Sequence, residues 1–180
     1  MATRSSSRRT PPRSAGRPGG GDAKPLGTAL DSGLRYLAGR PHSRLELRRK
    51  LARKGFEPDE VDAALGRLTE LGYLDDDAFA RGLIRRRSAN RGPAALAAEL
   101  GSKGISREGV AAALAEVSPD AQLEAATRLA ERLYANRPVP GYKEMLDRIG
   151  SKLVRRGYSG SVVREACRAV WAGTSGHLDN

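Results

Sequence analysis

Apolar residues recur at steps of three and four from about Leu26 onward, and no segment alternates strictly between apolar and polar residues. This spacing places apolar side chains on one face of an α-helix, whereas a half-buried strand would need the alternation. Glycines and prolines fall between the periodic segments, where they end helices. We therefore predict nine helices. The first runs from about residue 26 to Gly39, the second from Ser43 to Gly55, and the others lie near 58–71, 76–90, 93–103, 106–117, 119–135, 142–156 and 161–172.

The predicted helix ends carry capping signals. Ser43 and Glu46 have the spacing of a capping box, in which each side chain accepts a hydrogen bond from the other residue's backbone N–H. Gly55 follows the second helix, as expected for a residue in the left-handed conformation that closes a helix. Ser118 followed by Pro119 provides an N-cap and a first-turn proline. Local sequence therefore sets the helix limits.

The chain repeats itself around Gly55, Gly104 and Gly157, which lie 49 and 53 residues apart. A basic residue directly precedes each glycine, and apolar residues stand four and eight positions before it. These apolar residues are Leu51, Leu100 and Leu153 at the first position and Leu47, Leu96 and Ile149 at the second. The agreement predicts three copies of one unit, each with three helices and a glycine turn between the second and the third.

The predicted fold class is all-α, with three tandem three-helix repeats forming an elongated, curved nine-helix body. One such unit buries little by itself, so we expect neighbouring repeats to share cores. Cys167 stands ten residues after its glycine, where its counterparts are leucines, and we predict a buried packing residue rather than a nucleophile. The predicted divisions are a disordered basic tail over 1–25, repeats over 26–74, 75–118 and 119–173, and a short C-terminal tail over 174–180.

The chain is strongly basic, since its 180 residues contain 32 Lys+Arg against 21 Asp+Glu, for a formal net charge of +11. About half of this excess lies in the first 25 residues, which have too few apolar side chains to form a core. That tail is either an arm that contacts DNA phosphates or a leader without a specific role. The remaining residues are basic in their own right, which favours an acidic or nucleic-acid partner.

Composition excludes several classes of protein. A single cysteine excludes an internal disulfide, and with only two histidines it argues against a structural zinc site. No apolar run approaches the roughly 20 residues that span a bilayer, and the N-terminal residues lack the apolar segment of a signal peptide. The aromatic content of 4% is poor for a base-stacking surface. We expect a cytoplasmic protein without a metal or cofactor.

No catalytic arrangement of residues is present in the sequence, which predicts a protein that is not an enzyme. The acidic run Asp75, Asp76 and Asp77 directly precedes a helical pattern. We predict that it caps that helix and stabilises its dipole, rather than binding a metal. The neighbouring aromatic residues, Tyr73 and Phe79, are predicted to lie in the core and not on a recognition surface.

Arginines cluster at comparable places in the three repeats. In the first repeat they lie on the second helix, on positions expected to face away from Leu47 and Leu51. In the second repeat they end the first helix, and in the third they precede the glycine turn. We predict one continuous binding stripe rather than three solvated helix faces. The candidate residues are Arg44, Arg48, Arg49, Arg53, Arg85, Arg86, Arg87, Arg91, Arg155 and Arg156.

A three-helix unit with a glycine turn also raises a helix-turn-helix interpretation, in which the third helix enters the major groove of DNA. In the first repeat this helix opens with four acidic residues over 57–62, which would repel phosphates. In the second repeat it is rich in alanine and lacks side chains that read base edges. These features argue against sequence-specific DNA binding, and leave contact with the DNA backbone or with a protein.

Four motifs occur together in the ordered part of the chain. They are R-x-x-S-x-x-E-L-x-x-K-L-x-x-K-G over 40–55, G-Y-L-D-D-D-A-F-A over 72–80, G-P followed by E-L and K-G-I over 92–105, and K-L-V-R-R-G-Y-S over 152–159. In this combination the chain resembles the RecX family of bacterial recombination regulators. The similarity extends over roughly 28–172, and the G-Y-L-D-D segment followed by F-A is its most specific part.

The resemblance implies a fold of three tandem three-helix repeats and a role without catalysis. RecX-like proteins bind the RecA recombinase filament on single-stranded DNA, lie in its helical groove, and inhibit ATP hydrolysis, strand exchange and co-protease activity. They also bind DNA weakly. We therefore expect a monomer whose partners are the RecA filament and, more weakly, single- or double-stranded DNA. The alternative is a sequence-independent DNA-binding protein that acts without the recombinase.

Overall fold

The computed structural model describes residues 27–175, so the predicted tail over 1–25 and most of the one over 174–180 lie outside the described residues. Within 27–175 the chain forms nine helices and no strand, which confirms the all-α repeat fold. The first seven helices are α1 Ala29–Gly39, α2 Arg44–Arg53, α3 Pro58–Glu70, α4 Asp76–Arg87, α5 Pro93–Ser102, α6 Arg107–Ala115 and α7 Pro119–Asn136. The ninth, α9, is Gly160–Ser175. Helix α8 is a continuous run of Tyr142–Glu144, a π-helical segment Met145–Gly150, and Ser151–Arg155.

The predicted capping signals are confirmed. Ser43 and Glu46 form the capping box at the start of α2. The Asp75 carboxylate accepts hydrogen bonds from the backbone N–H groups of Asp77 and Ala78, at 2.8 and 2.9 Å, and so caps α4 as predicted. Ser118 accepts a bond from the Ala121 N–H at the start of α7. These bonds satisfy N–H groups that have no partner inside the helix.

Each repeat has a core of its own, so the expectation that neighbouring repeats share cores is wrong. One cluster of buried apolar side chains lies within α1–α3 and the turn after α3, a second within α4–α6, and a third within α7–α9. The residues aligned by the repeat are nevertheless buried, since Leu47, Leu51, Leu96 and Leu100 are at most 2% exposed. The repeats remain separate because the residues that join them are mainly backbone and polar groups.

Two further predictions about individual side chains have opposite outcomes. Cys167 is completely buried in the third core, as predicted, and its burial raises the pKa of the thiol. Phe79 is also buried, but the prediction that Tyr73 lies in the core is wrong, because its side chain is 60% exposed. Tyr73 follows the glycine that ends α3, and the turn directs its neighbour Leu74 into the core instead.

Neighbouring repeats meet through the same local feature. The glycine turn of one repeat packs on the N-cap of the second helix of the preceding repeat. In the first junction, the Lys103 carbonyl accepts a 2.7 Å bond from the Ser43 hydroxyl. In the second junction, the Arg156 carbonyl accepts a 2.8 Å bond from the Gly92 N–H. Ser43 and Gly92 are the N-caps of α2 and α5, so the two junctions use equivalent positions.

The junction between the first and second repeats depends on polar side chains. The Lys103 ammonium lies 2.6 Å from the Glu46 carboxylate, and both side chains are less than one quarter exposed. The backbone N–H of Arg44 donates a 2.7 Å hydrogen bond to the carboxylate of Asp76. Burial raises the pKa of this carboxyl group. Hydrogen bonds to charged groups are stronger than neutral ones, so these contacts contribute to holding the two repeats in one orientation.

The junction between the second and third repeats is made largely by backbone groups. Besides the bond from Gly92, the Ala94 N–H donates a 3.1 Å bond to the Gly157 carbonyl. The two backbone segments approach so closely at Gly92 and Gly157 that a Cβ atom on either glycine would collide with backbone atoms of the other repeat. Glycine is therefore required at both positions for this close approach.

We predict that Glu46→Gln lowers the free energy of unfolding by about 1 kcal/mol at pH 7, because it removes a charge-assisted bond between repeats. Burial alone would raise the pKa of Glu46, but the Lys103 ammonium, the Ser43 backbone N–H and the Arg40 charge together outweigh it, and the pKa lies below its usual range. The contribution is therefore present above the unfolded-state pKa and is lost as the pH falls through the lower folded-state pKa. Urea denaturation should show that variant and parent differ in free energy of unfolding at pH 7 and that this difference becomes smaller at about pH 3.

The matched control is Glu70→Gln, because Glu70 pairs with Arg67 at the surface, where both side chains are more than half exposed. Exposed pairs contribute little, so this change should stay within about 0.5 kcal/mol at either pH. A Glu46→Gln effect of the same size at both pH values would show that the ion pair does not stabilise the junction.

Candidate binding surface

The four candidate arginines of α2 have two different environments. Arg44 and Arg48 are turned towards α3, where Arg44 donates a 3.1 Å bond to the Thr69 hydroxyl and Arg48 forms an ion pair with Asp62. Arg49 and Arg53 are exposed, and neither has an ion pair within residues 27–175. Successive residues of an α-helix are rotated by about 100° around its axis, so Arg49 lies a little more than a quarter turn beyond Arg48. This rotation separates Arg49 and Arg53 from Arg44 and Arg48. The arginines of this helix thus do not form one uniform face.

The arginines at the end of α4 are partly neutralised. Arg87 lies 3.1 Å from the Glu99 carboxylate of α5, and Arg91 lies 3.9 Å from the same group. Arg85 and Arg86 are exposed on the last turn of α4, where a positive charge interacts favourably with the helix dipole. The sequence prediction did not identify Glu99, which lies in the second turn of α5. Its carboxylate contacts two of the candidate arginines, Arg87 and Arg91.

Three of the ten candidates meet in one place. A cleft of about 440 Å³ between the second and third repeats is lined by Arg91, Leu133, Lys152, Arg155 and Arg156, and we call it the basic cleft. Four of its five lining side chains are cationic and none is acidic. Lys152 is a member that the predicted stripe omitted. Its position three residues before Arg155, on the same face of α8, was the available signal.

The backbone junction positions the basic cleft. Arg156 supplies the carbonyl that accepts from Gly92, and its guanidinium donates a 3.3 Å bond to the Asn90 carbonyl. The Asn90 side chain in turn accepts a 2.8 Å bond from Arg132 of α7. Asn90 and Arg91 are adjacent, so bonds that hold the loop after α4 also place Arg91 at the cleft.

The chemistry of this surface is electrostatic. Arginine presents a planar fork of donors that matches phosphate and carboxylate groups, and lysine adds a point charge. Several like charges in one cleft raise the local concentration of an anionic partner. Among the described residues, no group of three or more acidic, histidine or cysteine side chains is placed to hold a metal ion. No helix in the described part of the chain is both long and apolar enough to cross a membrane.

The remaining candidates are distributed over the first and second repeats rather than at this cleft. They are Arg44, Arg48, Arg49, Arg53, Arg85, Arg86 and Arg87. Whether they continue the basic cleft into one binding stripe stays a prediction.

Comparison with family models and comparison with individual proteins point to the same family. Residues 29–68 match the model of the RecX first three-helix domain, and residues 75–114 match that of the second. The chain is 38% identical over 144 residues to the regulatory protein RecX of Xanthomonas axonopodis pv. citri (strain 306), which covers 78% of this chain and 86% of that protein. The regulatory protein RecX of Stenotrophomonas maltophilia (strain R551-3) is also 38% identical with the same coverage.

Solved structures show the same fold. The crystal structure of RecX from Lactobacillus salivarius superposes with a TM-score of 0.73 at 22% identity, covering 80% of this chain and 95% of that one. A second crystal structure, of a regulatory protein RecX, gives a TM-score of 0.69 at 25% identity over 74% of this chain and 68% of that one. With relatives at this identity over most of their length, two matched domains and the repeat fold in common, the chain belongs to the RecX family of regulatory proteins.

Proposed function

We propose that this protein is a mainly negative modulator of the RecA recombinase. It binds the RecA–DNA filament in the helical groove and inhibits ATP hydrolysis, strand exchange and co-protease activity, without being an enzyme itself. It acts as a monomer in the cytoplasm. The observation that carries the proposal is membership of the RecX family, whose curated relatives match along 86% of their length.

The basic cleft and the modular fold support this proposal. A protein filament on DNA contains phosphates at regular intervals, and phosphates are partners for a cationic cleft. The two junctions use equivalent positions, Ser43 and Gly92, and the repeats are similar units that can meet successive protomers of a helix. Docking of this kind needs no catalytic group, and charge attraction increases the rate of encounter.

The alternative function is sequence-independent binding to DNA without the recombinase, and the cationic lining of the basic cleft favours it. This function predicts tight binding to naked DNA, with log K falling by about 0.7 to 0.9 per neutralised phosphate for each tenfold rise in salt. The scarcity of exposed aromatic side chains counts against it, because single-stranded DNA binding without sequence preference usually uses base stacking.

The test is the single-stranded-DNA-dependent ATPase of the cognate RecA recombinase, with this protein titrated from far below to equal concentration at roughly physiological salt. We expect inhibition well below a one-to-one ratio, because one bound molecule then disables several protomers. Inhibition that begins only when the DNA itself is saturated would instead establish competition for DNA and support the alternative. An unaffected ATPase at every ratio would contradict both.

A further inference from the structure

A second concave surface lies at the other junction, between the first and second repeats. It is a groove of about 550 Å³ formed by the C-terminal half of α1, the loop after it, the turn between α3 and α4, and the start of α4. We call it the Tyr73 groove. Its lining side chains are mostly apolar and include no lysine or arginine. They are Leu34, Leu37, Ala38, Pro41, His42, Tyr73, Asp75, Ala78 and Phe79, with Gly72 contributing backbone.

One large apolar side chain, that of Tyr73, is exposed at this groove. Among the described residues only Leu71, Tyr73 and Val154 are large, apolar and exposed, and of these only Tyr73 lines the groove. Tyr73 is 60% exposed, although burial in the core would have stabilised the fold. Tyrosine is enriched at the centres of protein interfaces, where its ring adds apolar area and its hydroxyl a hydrogen bond.

His42 adds to the lining of the groove a buried polar group with an acceptor that is unused within the described part of the chain. The residue lines the groove and is only 3% exposed. Burial lowers the pKa of His42, which keeps the imidazole neutral near pH 7. Its Nδ1 lies 2.9 Å from the Arg40 carbonyl, which can only accept, so Nδ1 carries the proton and Nε2 is an acceptor. Nε2 is buried and has no hydrogen-bond partner among residues 27–175.

Charge decides which kind of partner fits. Asp75 lines one end of the groove and Asp77 is exposed beside it, in a chain that is otherwise strongly basic. These carboxylates repel the phosphates of nucleic acid and attract lysine or arginine. The 26 residues that precede the described region contain only Met1 and Leu26 as large aliphatic side chains, so this tail lacks the apolar residues to fill the groove.

We propose that the Tyr73 groove binds an apolar peptide segment of the filament protein, flanked by a lysine or arginine that pairs with Asp75 or Asp77. This inference rests on the proposed function and adds a protein-binding surface to it, separate from the basic cleft. The apolar side chains of the segment cover Tyr73 and fill the groove.

The experiment compares Tyr73→Ala, Tyr73→Phe and Val154→Ala in binding to the RecA filament assembled on a single-stranded oligonucleotide. Tyr73→Ala should weaken binding at least tenfold. Tyr73→Phe keeps the apolar ring and Val154→Ala shortens an exposed side chain in the third repeat, so both should stay within about twofold of the parent. A second variant, Ala78→Arg, places a bulky cation in the groove on an exposed helical position and should weaken binding as much as Tyr73→Ala.

The outcomes separate this inference from the proposed function. Parent protein that fails to bind the filament would overturn the proposed function and this inference with it, whereas equal binding by parent, Tyr73→Ala and Ala78→Arg would overturn only the groove. Two further measurements test other occupants. A dimer of the parent that Tyr73→Ala abolishes in sedimentation would identify a second copy of the chain, and a loss of affinity for naked oligonucleotide would identify base stacking. Either result would overturn the inference.

Discussion

Replacing Gly157 with alanine is expected to lower the free energy of unfolding by about 2–4 kcal/mol, more than the same change at Gly72 or Gly92. Two costs add at this position. Gly157 has φ of +88°, in the left-handed region, which costs an alanine about 1 kcal/mol. The new Cβ would also lie 2.7 Å from the Cβ of Ala95 and closer still to its backbone nitrogen. Relieving that overlap, at about 1–3 kcal/mol, separates the second and third repeats.

Two other glycines separate these costs. Gly72 has φ of +74° but open space around its Cβ position, so Gly72→Ala should cost only the backbone term of about 1 kcal/mol. Gly92 has φ of −78°, which alanine adopts freely, but its Cβ would collide with the backbone of Gly157 and Tyr158. Gly92→Ala therefore tests the collision alone.

Chemical denaturation measures the stabilities, and amide hydrogen exchange at Gly92 and Ala94 reports whether their bonds across the junction persist. We expect both protections to fall in Gly92→Ala and Gly157→Ala and to remain in Gly72→Ala. Equal destabilisation by all three substitutions, with exchange unchanged, would mean that the close approach of the two glycines does not hold the repeats together.

Reversing two charges of the basic cleft is expected to weaken binding to the RecA filament by about 30- to 100-fold at low salt. The variant is Lys152→Glu with Arg155→Glu, because both side chains are exposed and neither has an ion pair among the described residues. Each lost phosphate contact also removes its share of counterion release. The slope of log K against log salt should therefore become shallower by roughly 2 if both side chains contact phosphates.

The matched control is Arg107→Glu with Arg168→Glu, which makes the same change in net charge on exposed helical positions outside the cleft. It should weaken binding less than about threefold. A third variant, Arg49→Glu with Arg53→Glu, tests whether the stripe continues onto the first repeat. Equal losses in the cleft variant and the control would attribute binding to net charge and contradict a specific role for the cleft.

Local features of the fold were accessible from the sequence. The capping box of Ser43 and Glu46, the cap at Asp75 and the glycine turns each depend on residues within a few positions of one another, so a short window contains the whole interaction. Burial of Cys167 followed from the register of the repeat, because equivalent positions in tandem units have equivalent surroundings. The candidate site was accessible only in part, since Arg91, Arg155 and Arg156 were identified as basic residues but not as neighbours.

The features that the sequence left open depend on which turn packs on which helix. Tyr73 was expected in the core because aromatic residues are commonly buried, yet the turn after α3 places it on the groove. Arg48 was expected on an open face, yet it pairs with Asp62 of the next helix. Neither outcome follows from periodicity, which gives the angle of a side chain around its helix but not the neighbouring element that it meets.

The sequence by itself thus determined the nine helices of residues 27–175, their caps and the three repeats, because helix formation is governed by local hydrogen bonds and by apolar spacing along one element. Tertiary structure alone decided that the repeats keep separate cores, that one junction relies on polar side chains and the other mainly on backbone groups, and that the basic cleft and the Tyr73 groove lie at those junctions. The physical reason is that both surfaces are formed by residues from two repeats, and their proximity is set by the packing of one repeat's glycine turn on the helix start of its neighbour.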